Sequence, residues 1–356
     1  MDLLTRDRAP EGAPPPAGGG GAAAVGRFAL DRVLRLVLLL VGVAVIAFTL
    51  VSLSPIDPVD AYVGADMARV GPEQRELIAQ RWGLDDPAAV RFVRWAGQVV
   101  RGDLGTSMIF DAPVTQVIAA RFATSLVLLA VAWLLSGVLG FALGVVAAVT
   151  RGSPLDRGIR WLAYTLASAP TFWVGLLLLT VFSVQLGWTP VCCAVDVGSD
   201  PATASLGERL HHLLLPAATL SIVGIAPITL HTREKTLEVL RSDAVTFARA
   251  QGERGLGLVR HRVLRNVAVP ALLLQFASLS ELFGGSVLAE QVFSYPGLGQ
   301  ATVAAGVRGD VPLLLGIALF SAVFVYVGNL LGDLAQRLVD PRVPLDPRLE
   351  HDGDER

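Results

Sequence analysis

Long uncharged apolar runs alternate with polar stretches along this chain. Residues 36–55, 122–150, 161–195, 210–232 and 311–332 contain no Asp, Glu, Lys or Arg. Each run reaches the roughly 20 residues that cross a bilayer as a helix. A sixth run lies between Arg265 and Glu290 and is interrupted only by Glu281. The pattern predicts an all-α polytopic membrane protein with six transmembrane helices. Helices are the expected form, because a backbone in hydrocarbon must satisfy its own hydrogen bonds. The strands of a membrane barrel would instead alternate polar and apolar positions.

The polar stretches divide the chain further. Residues 1–26 are dense in Pro and Gly, cannot build a core, and predict a disordered cytoplasmic tail. That tail lacks the layout of a signal peptide. Residues 27–344 form the six-span domain, with an outer segment 56–112 and an inner loop 237–268. Residues 345–356 form a cytoplasmic C-terminal tail.

Composition supports a membrane protein and removes several classes. The chain is 53% hydrophobic and 17% charged, against about 25% charged in soluble domains. Its net charge of −2 implies no nucleic-acid partner. Lys235 is the one lysine among 29 basic residues, and it follows Glu234. A Walker A loop needs Gly-Lys-[Ser/Thr], so the chain holds no P-loop ATPase site. Cys192 and Cys193 are adjacent, too few for a disulfide framework, and read as small apolar residues near a membrane surface.

Arginine placement gives the orientation. Arg27, Arg32 and Arg35 precede the first run, and Arg151, Arg157 and Arg160 lie between the second and third. Arg233 and five loop arginines lie between the fourth and fifth, and Arg337 and Arg342 follow the sixth. All fall on one side if both termini are cytoplasmic, as the positive-inside rule requires.

The inner loop holds the densest chemistry. Asp243 to Pro270 reads as a short helix of small residues (Ala244, Ala248, Ala250), a break at Gly252, and a second, basic helix ending near Pro270. Gly252 suits a helix end that turns left-handed. Small residues admit the close approach of another surface. Within the spans, Pro170 predicts a kink before Phe172 and Trp173. Glu281 is an ionisable group at membrane depth: it lines a path, contacts a cation, or is a structural glutamate bonded to Ser278 or a neighbouring helix. His211 and His212 are adjacent, face different sides of a helix and make a poor metal chelate.

The loop sequence A-R-A-x-G, followed by R-H-x-L-R-N-x-x-x-P, resembles the coupling loop of permease subunits in the dipeptide/oligopeptide/nickel branch of ABC importers. Ala248, Arg249, Ala250, Gly252, Arg260, His261, Leu264, Arg265, Asn266 and Pro270 carry it. Other stretches follow in the family's order. They are Leu53-x-Pro55-x-Asp57-Pro58, Gly83-Leu84-Asp85-x-Pro87, Gly102-Asp103-Leu104-Gly105-x-Ser107, Ser168-x-Pro170-x-Phe172-Trp173, Glu290 through Gly299, and Arg308-Gly309-Asp310-x-Pro312. The resemblance covers about residues 28–344. It departs at Phe247, where the family has Thr, and at Glu253-Arg254, where it has Leu-Ser.

The resemblance implies a type I importer permease in the cell membrane. Its partners would be a second, homologous permease subunit, two ABC ATPase subunits and an extracytoplasmic substrate-binding protein. The coupling loop would comprise Asp243, Ala244, Ala248, Arg249, Ala250, Gly252, Arg260, Arg265, Asn266 and Pro270; the translocation path would draw on Glu281, Ser278, Pro170, Phe172 and Trp173. No catalytic residue, cofactor or resident metal is implied. Peptides are the expected cargo, with nickel or a metal chelate as the alternative suggested by Glu281-Leu282-x-Gly284-Gly285. A secondary transporter would need a coupling-ion site, for which Glu281 is the sole candidate. A membrane enzyme would need a nucleophile–base pair or metal cluster, and neither G-x-S-x-G nor H-E-x-x-H occurs.

Overall fold

The structure, a computed structural model, describes residues 21–53, 71–73, 76–77, 86–199 and 203–339. Helix α1 (Gly21–Ser52) and α2 (Ala88–Val100) precede an antiparallel pair of two-residue strands, β1 (Thr106–Ser107) and β2 (Ala112–Pro113). Then come α3 (Val114–Val149), α4 (Pro154–Ser168) and α5 (Thr171–Leu178), the last continuing as a π-helical stretch over Leu179–Gln185. Helix α6 (Leu206–Leu240) leads into α7 (Asp243–Ala250) and α8 (Gly255–Leu258). A π-helical turn, Val259–Val263, joins α8 to α9 (Leu264–Ala277). The chain finishes with α10 (Leu279–Val292), α11 (Leu298–Val307) and α12 (Val311–Val339).

Helices α1, α3, α6 and α12 are each long and apolar enough to cross a membrane. Two further spans are broken pairs. Helix α4 meets the Thr171–Gln185 segment at 110°, and Gly255–Ala277 meets α10 at 52°. The third apolar run, 161–195, is therefore not one continuous crossing. Pro170 has no amide hydrogen and disfavours the helical conformation of the residue before it; Ala169 accordingly sits at φ −84, ψ 132. The fifth run breaks at Ser278, although Pro270 lies inside α9 and does not end the helix as the sequence pattern predicts. The first helix begins at Gly21, ahead of the boundary expected near residue 26, through the helix-forming Ala22–Ala24.

The centre of the molecule is the pair α3 and α6. Ser136, Gly140 and Gly144 recur at four-residue spacing on α3, a small-xxx-small stripe that lets two backbones approach. A Cβ on Gly140 would lie 2.8 Å from Ile228 Cβ, and one on Gly144 would lie 2.7 Å from the Thr229 carbonyl oxygen. From the other side, a Cβ on Gly224 would lie 2.8 Å from Ser136. Toward the hairpin end, Leu128, Leu129 and Ala132 of α3 pack with Leu213, Ala217 and Leu220 of α6, Leu282 and Ala289 of α10, and Tyr295. A second cluster joins Val114, Val117 and Ile118 to α11 and the start of α12.

Helix α1 lies outside this core and its apolar window is 0% buried. It touches α12 through Arg32, whose Nη2 is 2.6 Å from Asp333, and whose carbonyl accepts from the Tyr326 hydroxyl at 2.6 Å. Phe48 stacks edge-on against Phe92 of α2 at 5.3 Å. The signatures at 53–58 and 83–87 fall mostly outside the described residues, as do both predicted tails apart from Gly21–Gly26.

The loop between α5 and α6 corrects the cysteine reading. Cys192 and Cys193 are bonded to each other, because the backbone turns at Cys193 with φ 74 and brings neighbouring side chains to one side. The histidines tie this loop to α6. His211 Nε2 is 2.8 Å from the Trp188 carbonyl, and His212 reaches the Cys192 carbonyl at 2.9 Å and Asp196 at 3.1 Å. Among the described residues no group of three or more side chains is placed to hold a metal ion.

Candidate functional site

The arginine-rich loop folds into a small unit with its own core. Helix α7 starts at Ser242, whose hydroxyl accepts from the Val245 amide, with Asp243 favourably placed in the first turn. It ends at Gly252, where φ is 94. There the Glu253 amide donates to the Ala248 carbonyl and the Gly252 amide to that of Arg249, each at 3.0 Å. This pair of bonds closes the helix as a Schellman motif, which requires the left-handed glycine. Val245, Ala248 and Leu258 are buried together against Val239. Ala248 is thus a core residue of the loop, not the contact for an outside surface that its size suggests in the sequence. The outward face carries Ala244, Phe247, Arg249 and Ala250, all exposed, with Phe247 at 65%.

The second half of the loop is basic and solvated. Arg260, Arg262, Arg265 and Asn266 are exposed. Arg262 grips Glu253 at 2.6 and 3.2 Å, which ties the π-helical turn back to the end of α7. These bonds hold the Glu253 carboxyl below the usual carboxylate range. Asn266 donates to the Arg262 carbonyl at 2.7 Å, so it supports the helix. Pro270, inside α9, does not join the exposed face.

Above this unit, a buried ion pair locks the elements that carry it. Asp156 of α4 is 1% exposed and receives Arg233 of α6 in a two-pronged grip, Nε at 2.8 Å and Nη2 at 3.1 Å. Gly152 and Arg160 donate to the same carboxylate. Sequence patterning passed over this pair. Both charges sit at the edges of apolar runs, where they count toward topology, and only the fold shows that they meet.

The bend at Pro170 builds an aromatic elbow. Phe172 and Trp173 on one arm and Trp161 and Tyr164 on the other line an open groove of about 730 Å³. All four rings are at least 46% exposed. Pro170, Phe172 and Trp173 are therefore together on one surface. Glu281 and Ser278 are not together. Glu281 is exposed in the first turn of α10, whereas Ser278 is buried and its hydroxyl donates to the Gln275 carbonyl at 2.8 Å. The expected Glu281–Ser278 bond does not form, because that hydroxyl is committed to the preceding helical turn.

At the hairpin end, two acids organise backbone. Glu290 is fully buried; one oxygen accepts from Ser125 at 2.6 Å and the other from the Gln300 amide at 3.0 Å. Ser125 in turn accepts from the Leu298 amide at 2.7 Å. Glu290 is thereby the anchor of the Pro296-Gly297 turn, and a Cβ on Gly297 would lie 2.3 Å from its Cδ. Tyr295, buried beside it, has its phenol pushed up to about 12, by burial first and then by the Glu290 charge. Asp310 is the second acid. It accepts from the Ser107 hydroxyl at 2.6 Å, the Ile109 amide at 3.0 Å and the Leu313 amide at 3.2 Å. It thus caps α12 and fastens the strand hairpin to it, so the Gly102–Ser107 and Arg308–Pro312 motifs form one joint.

Comparison with known proteins follows the same architecture. Residues 140–344 match the model for the binding-protein-dependent transport system inner membrane component, and residues 25–129 match the model for its N-terminal part. The chain is 32% identical over 317 residues to the oligopeptide transport system permease protein AppB of Bacillus subtilis, covering 89% of this chain and 98% of that one. It is 35% identical over 317 residues to the di/tripeptide transport system permease protein DppB of Pseudomonas aeruginosa, covering 85% and 94%. Among solved structures, an inward-facing form of the MetNI methionine ABC transporter superposes at TM-score 0.51 with 20% identity, covering 63% of this chain and 97% of the other. At that identity the likeness shows the fold.

Proposed function

The chain belongs to the family of binding-protein-dependent transport system inner membrane components, and on that premise we propose that it forms the membrane path of an ATP-driven importer of di- or oligopeptides. It is a multi-pass membrane protein with a type I permease fold. Two relatives that align along nearly their whole length are named for oligopeptide and di/tripeptide transport, which supports peptide as cargo over nickel. The Arg-bearing ends and both termini face the cytoplasm in this reading. Energy comes from two ABC ATPase subunits, because the chain has no Gly-Lys-[Ser/Thr] of its own. A second permease subunit completes the path, and an extracytoplasmic binding protein delivers the cargo.

One observation carries the coupling role. Helix α7 is held rigidly on Val245, Ala248 and Leu258 while Ala244, Phe247, Arg249 and Ala250 remain exposed. A short rigid helix presenting small residues, one aromatic ring and a cation is fit for insertion into a groove on another protein. Arg260 and Arg265 flank that face with positive charge. ATP-driven closure of the partner would push α7, and the Asp156–Arg233 clasp would carry the push into α4 and α6. The aromatic elbow at Pro170, Phe172 and Trp173, together with Glu281, would line the path that opens.

The test is uptake of a labelled tripeptide and of nickel in cells carrying the complete transporter, with this chain intact, deleted or changed at Arg249→Glu. Deletion is expected to abolish peptide uptake and leave nickel unaffected. Arg249→Glu is expected to abolish peptide uptake while the protein stays inserted at normal level. Normal uptake at normal expression would refute the coupling role of α7; loss of nickel uptake alone would replace the cargo.

A further inference from the structure

The exposed faces of the spanning helices differ in chemistry. Helices α1 and α3 present leucine and valine outward, such as Leu34, Leu38, Val127 and Val138, as lipid requires. Helix α10 exposes Leu288 too, but sets charged and polar groups in the same stripe, which runs through Glu281, Gly284, Leu288 and Gln291 at helical spacing on one side. Beside Glu281, Ser280 donates to Asn329 of α12 at 2.8 Å. The Glu281 end of this stripe suits a water-lined surface better than lipid, since an ionisable group facing hydrocarbon is expensive.

Glu281 itself makes no hydrogen bond or ion pair among the described residues. Its place in the first turn of α10, just past the break at Ser278, lets the amide end of that helix favour negative charge. The carboxylate is thus displayed, with no counter-charge among the described residues. An exposed carboxylate of this kind is open to a cation from outside the chain. A lone carboxylate with one hydroxyl and one amide nearby lacks the ligand set of a divalent cation, and no such set lies among the described residues. It does suit an ammonium group, which takes one strong acceptor and neutral oxygens.

We propose that Glu281 is the contact for the α-ammonium group of the peptide in transit. The inference rests on the peptide-importer reading and adds the part of the cargo that is recognised. Every unmodified peptide carries this group whatever its side chains, so one carboxylate serves cargo of varied sequence. A lysine or arginine side chain offers the same charge, and the experiment separates the two sources.

The experiment uses the complete membrane complex reconstituted without binding protein, so that the binding protein's own preference does not intervene. Binding of labelled trialanine, N-acetyl-trialanine and N-acetyl-trilysine is measured for wild type, Glu281→Gln and Glu281→Asp. Wild type is expected to bind trialanine about tenfold more tightly than its N-acetyl form, the worth of one hydrogen bond to a charged group. Glu281→Gln is expected to erase that ratio by weakening trialanine alone, with Glu281→Asp keeping most of the preference. N-acetyl-trilysine binding as tightly as trialanine would overturn the assignment to the amino terminus. Equal binding of both trialanine forms by wild type, or equal weakening of both by Glu281→Gln, would overturn the site. Those outcomes leave the importer reading standing if deletion of the chain still abolishes peptide uptake; peptide uptake that survives deletion ends both.

Discussion

Glu290 and Glu281 are nine residues apart on one helix, yet their surroundings are opposite. Glu290 is enclosed by Ser125, the Gln300 amide and the Gly297 turn. Glu281 stands exposed on the same helix. In the sequence Glu281 draws attention because it interrupts an apolar run, whereas Glu290 sits at the run's edge. The donors that make Glu290 structural come from α3 and from the turn that follows it, so no local pattern displays them. Gly297→Ala should drive the Glu290 carboxylate off its donors, since the new Cβ would lie 2.3 Å from Cδ. The expected cost is about 1–3 kcal/mol, read as a lowered unfolding midpoint in detergent. Gly306→Ala, with nothing within 4 Å, is the control. Equal shifts in the two variants would remove the argument. Tyr295 adds a pH dependence. Its phenol titrates at 10.0 when free and about 12 when folded, so its contribution is complete below pH 10 and is lost as pH rises toward 12. Tyr295→Phe should flatten the fall in stability across that interval relative to wild type.

At the scale of elements, close backbone approach and one ion pair determine how helices meet. The Ser136–Gly140–Gly144 stripe was present in the sequence, but hydropathy treats glycine and alanine as filler, and the partner helix was not visible. Gly144→Val places Cβ 2.7 Å from the Thr229 carbonyl, a backbone atom that cannot swing aside. We expect a loss of about 3 kcal/mol and a chain that is retained in the membrane but unfolds earlier on heating. The Asp156–Arg233 pair offers a cleaner comparison. Asp156→Leu alone leaves a guanidinium that is 8% exposed with Glu234, at 2.7 Å, as its remaining partner, at a cost of about 3 kcal/mol. Adding Arg233→Leu should restore most of the stability, as paired apolar replacements often do. A double variant no better than the single one would show that the pair is not the coupled unit. The bend at Pro170 was legible as a kink, but its size was not, because 110° reflects how α4 and α5 each pack on α6.

For the whole molecule, the membrane-spanning helices and the position of the arginine-rich loop between them were legible because uncharged length and arginine clustering are physical requirements of a bilayer. The broken third and fifth spans were less so. Charge-free length does not distinguish a straight helix from two half-helices. The motif order was enough to place the chain in its family, but not to say which motif residues touch. Ser107 and Asp310 stand 203 positions apart and meet at 2.6 Å. Ser107→Ala should leave one Asp310 oxygen short of a donor and loosen the hairpin by about 1–3 kcal/mol, measurable as faster amide exchange over residues 104–113. Exchange unchanged from wild type would assign the joint to the Ile109 and Leu313 amides alone.

The bare first helix has a consequence for the order of synthesis. Arg32 of α1 finds Asp333 only after 301 further residues have been made, on the order of 15–60 s at ribosomal speed. Through that interval α1 waits in lipid without its later neighbour. Its hydropathy of 2.7 is the highest of the four straight spans, and none of its window depends on burial by the rest of the chain. It is therefore able to enter the membrane alone and be claimed last, when α12 arrives and the finished permease closes over its oldest segment.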